Sequence, residues 1–286
     1  MKINLCDGRM RRIASTFLLV LTSLAIIILS GYPGVADDSS VGSGAILRSG
    51  FGARALGMGG AYVAIADDYS APYWNPAGVT RGNSLYLGGM RYDKFGLGLN
   101  LNYLSGGLTF SGNNSTGGSL LPSLNVPFVK GFSLAGTYLG FSTQVRTIGP
   151  GGSEPLVNYG ERSFMVTSGI EFPVVGTFGV TGKNYSFSAP GAGVDGSDAS
   201  ASGFGFDLGY LAEPLENLTL GLAAFDVTGT SVQWKNTPTE PTDRIQSRYS
   251  AGAAYRISLD NSVIPDLLAG ALTVSGQYSL GSHISN

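Results

Sequence analysis

The chain has 286 residues, of which 13% are charged, about half the share usual in a soluble domain, while its 44 glycines are about twice the usual share. One histidine, His283, and one cysteine, Cys6, leave no material for His/Cys nucleophilic catalysis or for zinc sites built from such ligands, so neither an enzyme nor a cofactor is expected. The formal charge of −2 attracts no nucleic acid.

Residues 1–36 read as a secretory signal peptide. Lys2, Arg9, Arg11 and Arg12 supply the positive start, Ile13 to Ser30 the apolar core, and Gly34-Val35-Ala36 a small-residue cleavage site. An uncleaved anchor is the competing reading, and Met10 offers an alternative start. Cys6 precedes the apolar core and so cannot be a lipoprotein cysteine at the cleavage point. Four of the 17 basic and one of the 19 acidic residues fall in the leader, so residues 37–286 carry 13 against 18, a charge of −5, and no cysteine. After Ser30 no apolar run approaches the roughly 18 residues of a spanning helix, which leaves a β-barrel as the membrane solution.

Residues 37–50 are polar and Gly/Ser-containing, the composition of a flexible arm. They lead into Phe51 to Gly78, FGARALGMGGAYVAIADDYSAPYWNPAG, where Gly57, Gly59 and Gly60 alternate with alanines small enough for the backbone to lie against a wall of other side chains. Asp67 and Asp68 interrupt the apolar run and are expected to satisfy backbone donors at the following turn; a metal or acid-base role would need the backbone to turn between them. Pro76 pushes Asn75 out of the α region, and Gly78 is expected to supply a positive φ.

This stretch resembles the PorV/PorQ family of the FadL-like outer-membrane barrels, in the order Gly-Met-Gly-Gly-Ala, Ala-Asp-Asp, Asn-Pro-Ala-Gly. The resemblance implies that residues 51–80 fold into a barrel lumen as a plug or hatch. Gating would then fall on Gly57, Gly59, Gly60, Asp67, Asp68, Asn75, Pro76 and Gly78.

From Arg81 a period of two takes over, and 81–286 reads as an all-β antiparallel transmembrane barrel of about 10–14 strands, C-terminally incomplete if the higher number holds. Strands are expected near 84–93, 95–104, 105–110, 131–138, 139–147, 162–172, 174–187, 203–212, 216–226, 247–258 and 266–280. Segments of about ten residues suit tilted spanning strands, and aromatics toward their ends suit interface girdles. A large soluble β-sandwich is the alternative; its weakness is a polar row that lacks the Lys and Glu of a water-facing sheet. Three long connections, 111–130, 189–202 and 228–246, are expected together on the extracellular side, with a short periplasmic turn at Glu213–Asn217.

Alternation puts Asn100, Asn102, Glu171, Lys183, Arg248 and Arg256 on the polar, lumen-facing side, opposite a greasy row that includes Leu99, Leu101 and Tyr103. The resemblance then implies, in the bacterial outer membrane, passive transport of a hydrophobic small molecule gated by the plug. Its alternative is a component of type IX protein secretion, with secretion-machinery proteins as partners beside the membrane lipid.

Overall fold

The computed structural model describes residue 44 and residues 46–82, 84–111, 129–146, 156–259 and 270–281, all in the unit Ser39–Asn286. The leader, most of the 37–50 arm and His283 lie outside the described residues.

The all-β antiparallel class is what folds. Eleven strands follow one another: β1 (Leu85–Lys94), β2 (Leu99–Ser111), β3 (Gly131–Arg146), β4 (Leu156–Phe172), β5 (Gly176–Ala189), β6 (Ala199–Leu215), β7 (Leu218–Phe225), β8 (Thr230–Lys235), β9 (Thr242–Ile245), β10 (Arg248–Leu259) and β11 (Gly270–Gly281). They form one sheet in the order β1-β2-β3-β4-β5-β6-β7-β10-β11, with the β8–β9 hairpin paired to the start of β6. Among the described residues β1 and β11 are the two edges of that path, each paired on one side.

Two pairs of expected strands are single strands. The runs 95–104 and 105–110 merge into β2, and 131–138 and 139–147 into β3. Within these strands Gly107 and Gly140 serve packing: a Cβ on Gly107 would stand 2.6 Å from the Tyr86 ring, and one on Gly140 2.6 Å from the Tyr138 hydroxyl. Conversely, 228–246, expected as a loop, contains β8 and β9.

Consecutive antiparallel strands also fix which connections share an end. β1, β3, β5 and β7 finish at one end of the sheet, here the upper, where β2, β4, β6 and β10 start; β2, β4, β6 and β10 finish at the lower, where β3, β5, β7 and β11 start. The strand ends that flank 111–130 are therefore on the side of the 213–217 turn, opposite those that flank the other two long connections, and the expected grouping of all three is overturned.

One face of the sheet packs on the segment that precedes β1. Along β5 the inward set is Thr177, Gly179, Thr181, Lys183, Tyr185, Phe187 and Ala189, all buried. The segment enters at the upper end, where Tyr92 donates to the Gly50 carbonyl at 2.9 Å and Arg48 to that of Gln246. It leaves at the lower end, where Arg81 pairs with Glu213 at 2.7 Å. Leu47 is buried with Phe51, so the packed segment begins before residue 51, inside what reads as a polar arm.

Candidate functional site: the N-terminal segment and the wall around it

The segment folds through short turns because its residues allow little else. Helix α1 (Ala53–Gly57) ends in a turn in which Gly59 and Gly60 have φ of 65° and 79°, open to glycine at no steric cost. Helix α2 (Ala71–Trp74) begins with Pro72 in its first turn, where a missing N–H costs nothing, and stops at Asn75, whose φ of −160° and ψ of 110° follow from the proline after it. A 3-10 helix, Pro76–Arg81, completes the segment.

Asn75 is the tie point. Fully buried, it accepts from the Ala77 N–H at 3.1 Å, donates to the Val63 carbonyl at 2.8 Å and donates to the Tyr210 carbonyl of β6 at 3.2 Å. Elsewhere Trp74 donates to the Phe51 carbonyl at 2.7 Å, Tyr103 of β2 to that of Tyr69 at 2.8 Å, and Ser275 of β11 to that of Ala61 at 2.7 Å. Strands from β1 to β11 thus hold one segment.

The wall opposite it is made of small residues in register. Thr109, Ser133, Gly169, Gly179, Gly209, Ala223 and Ser250 stand directly opposite one another across β2 to β10. A Cβ on Gly179 would overlap the Pro76–Ala77 peptide, and one on Gly209 would overlap the Asn75 side-chain oxygen. The backbone of the segment lies directly on the backbone of the wall.

The expected gating residues separate into two groups. Asn75, Pro76 and Gly78 are buried in this contact. Gly78 is there for close approach rather than for a positive φ, because its Cβ would overlap the Ala66 carbonyl. Gly57 and Gly59 face open space, which corrects the expectation that they pack on the wall, while Gly60 lies under Trp74, 3.3 Å from where its Cβ would be. Asp68 does accept from the Ser70 N–H and hydroxyl, at 2.8 and 2.6 Å. Asp67 instead takes Arg54 at 2.5 Å and the Tyr62 hydroxyl at 3.1 Å. Burial, then Asp68 and Asp67, push the Tyr62 phenol well above its ordinary pKa.

Of the residues expected to face inward, Lys183 is buried and Arg248 half-buried, its guanidinium 4.2 Å above the Phe225 ring. Glu171 stands at the lower rim, paired with Lys130 at 2.6 Å, and Arg256 is exposed. Asn100 and Asn102 are on the other face: Leu101 and Tyr103 point inward, Tyr103 stacking on Phe51 at 5.3 Å. At this height the interior is an aromatic core, so alternation on β2 runs opposite to the expected sense.

Lys183 belongs to a cluster that alternation did not reveal as a unit. Its ammonium pairs with Asp207 at 2.7 Å and Asp226 at 3.0 Å, and Asp226 also accepts from Tyr185 at 3.1 Å and Thr230 at 3.0 Å. Asp207 was readable in GFGFDLGY as the one charge on the face of Gly205 and Gly209; Asp226, at a strand end, gave no such sign. Beside the cluster is a cavity of about 40 Å³, whose lining includes Gly44, Leu47 and Arg48. Among the described residues no group of three or more His, Cys, Asp or Glu side chains could hold a metal ion.

The outer face is the reverse. One residue along the strands from the small-residue row, and pointing the other way, stands a row that reads Leu85, Leu108, Leu134, Ser168, Val180, Leu208, Ala224 and Tyr249. Below it is an aromatic row, Phe110, Phe132, Ile170, Phe178 and Tyr210; above it another, Leu104, Tyr138, Phe164, Asn184 and Phe204. Phe110 to Leu104 is about 20 Å along the strand at about 3.3 Å per residue. One pleat higher the face turns polar: Arg91, Asn102, Gly140, Arg162, Ser186 and Ser202. No helix among the described residues is long and apolar enough to cross a membrane, which says nothing of strands. No family model, curated protein or solved structure matches the chain.

Proposed function

We propose that the chain is a β-barrel of the bacterial outer membrane, its edges β1 and β11 meeting around residues 51–80, and that this segment gates passage of a hydrophobic small molecule, as the resemblance to FadL-like barrels implies. The observation that carries the membrane part is the inversion of polarity between the faces. Leu87 is 79% and Val166 67% exposed outside, while Lys183, at 6%, and Asp207, at 1%, are buried inside. In water such an arrangement leaves a large apolar patch uncovered. In hydrocarbon it is the stable one, and the aromatic rows fall where interface girdles belong. Fractionation and gel migration with and without heating test this: recovery in the soluble periplasmic fraction, with no heat-dependent migration, rejects it.

A second reading, a component of type IX secretion, is favoured by one observation: the segment is tied to β1, β2, β6 and β11, with a space of only about 40 Å³ beside the buried cluster. A cysteine pair at Ala61 and Ser275, whose side chain already bonds the Ala61 carbonyl at 2.7 Å, separates the two. In liposomes carrying the protein, a gate that must move loses uptake of a fluorescent fatty acid when cross-linked and regains it on reduction. Uptake equal in the oxidised and reduced forms sinks the gate and leaves the secretion role.

A further inference from the structure

The cavity beside Lys183 has more donors than acceptors to receive them. Its ionisable lining residues are Arg48, Lys183 and Arg248 against Asp207 and Asp226, a surplus of one positive charge. Lys183 gives two of its three protons to the carboxylates, leaving one. The Tyr73 hydroxyl accepts from the Gly50 N–H at 3.1 Å and so has its own proton to give. Ser163, 1% exposed, lines the same space, and its hydroxyl has no partner. A buried hydroxyl without a partner is costly, so Ser163 is a donor in want of an acceptor from this space. Glu161, one pleat along β4, is buried just outside the lining, near Gly44 and Leu47; Tyr159 donates to one of its oxygens at 2.9 Å and the other has no partner, so the surplus of positive charge is that of the lining alone.

We propose that this cavity binds a single small monovalent anion of halide size, held by Ser163, Tyr73 and Lys183 and neutralised by the surplus charge. About 40 Å³ holds about three waters at about 10–15 Å³ each, or one halide with water beside it, and is too small for an acid with an alkyl chain. The ion sits beside Gly44, Leu47 and Arg48, so it also fastens the segment at its upper end. This inference does not depend on whether the barrel conducts.

The test uses the purified full chain in detergent, with chloride exchanged for gluconate at constant ionic strength. Chloride raises the melting temperature, by about 5 °C at a hundredfold excess over its Kd, and crystals grown in bromide show an anomalous peak within reach of Ser163. Ser163→Ala and Arg248→Gln each fold and lower the apparent chloride affinity about tenfold or more. Equal melting in the two salts with no bromide peak means that water fills the cavity and overturns the proposal. A chloride effect that both substitutions leave untouched also overturns it, because the ion then binds elsewhere.

Discussion

Two rows of the same strands, one residue apart, are built from opposite chemistry. The inner row, Thr109 to Ser250, has no side chain larger than threonine, because a backbone lies against it. The outer row, Leu85 to Tyr249, is almost continuous in large apolar residues, because no described part of the chain covers it. In a water-soluble sheet the large residues would face the core and the small or polar ones the solvent. The difference teaches that alternation alone names two faces without saying which is inside. Size, more than polarity, marks the inner row here.

The sharpest way to break the comparison is to make the inner row large. Gly179→Leu drives a side chain through the Pro76–Ala77 peptide, and the chain should fail to fold, seen as loss of heat-modifiable migration and of strand circular dichroism. Gly136→Ala, on the outer face with nothing within 4 Å of its Cβ, should leave stability unchanged or slightly raised. If both fold alike, the segment does not lie on the wall. The converse change is a charge in the outer band. Val166→Arg, between the two aromatic rows, should cost about 2–4 kcal/mol in a bilayer, read from denaturant titration in liposomes.

Next in size is the tie between segment and wall. Asn75→Ala removes the donor to the Val63 and Tyr210 carbonyls and the acceptor for Ala77, and leaves buried groups unpaired. A loss of about 1–3 kcal/mol is expected. Asn75→Asp keeps the acceptor and loses the donor, so it should fall between alanine and wild type if the cap matters, and below alanine if the buried charge dominates.

The class and most strands could be read from period two, and Asn75 and Pro76 from local turn chemistry, because both depend on neighbours in sequence. What depends on neighbours in space was not readable. Gly107 and Gly140 give no sign of their role until Tyr86 and Tyr138 are seen to need their room. Leu101 and Tyr103 look lipid-facing until Phe51 is seen beneath them. The Lys183, Asp207 and Asp226 cluster joins residues from β5, β6 and the end of β7, and only the register β5–β6–β7 brings them together.

The smallest expected effect locates the upper border of the band, and it turns on Asn102. This side chain is on the outer face with Leu104 and Leu108, yet it stands in register with Arg91 and Gly140, in the first polar row above the aromatics. If that row lies at the headgroup level, an arginine there meets water and phosphate, and Asn102→Arg should cost about 0–1 kcal/mol. Leu104→Arg, two residues lower in the aromatic row, should cost more, and Val166→Arg more again, so the three substitutions read as a depth series. Denaturant titration of each in the same liposomes measures it. Equal costs at Asn102 and Val166 would mean that the outer face has one environment throughout, and the polar row would lose its meaning as a border.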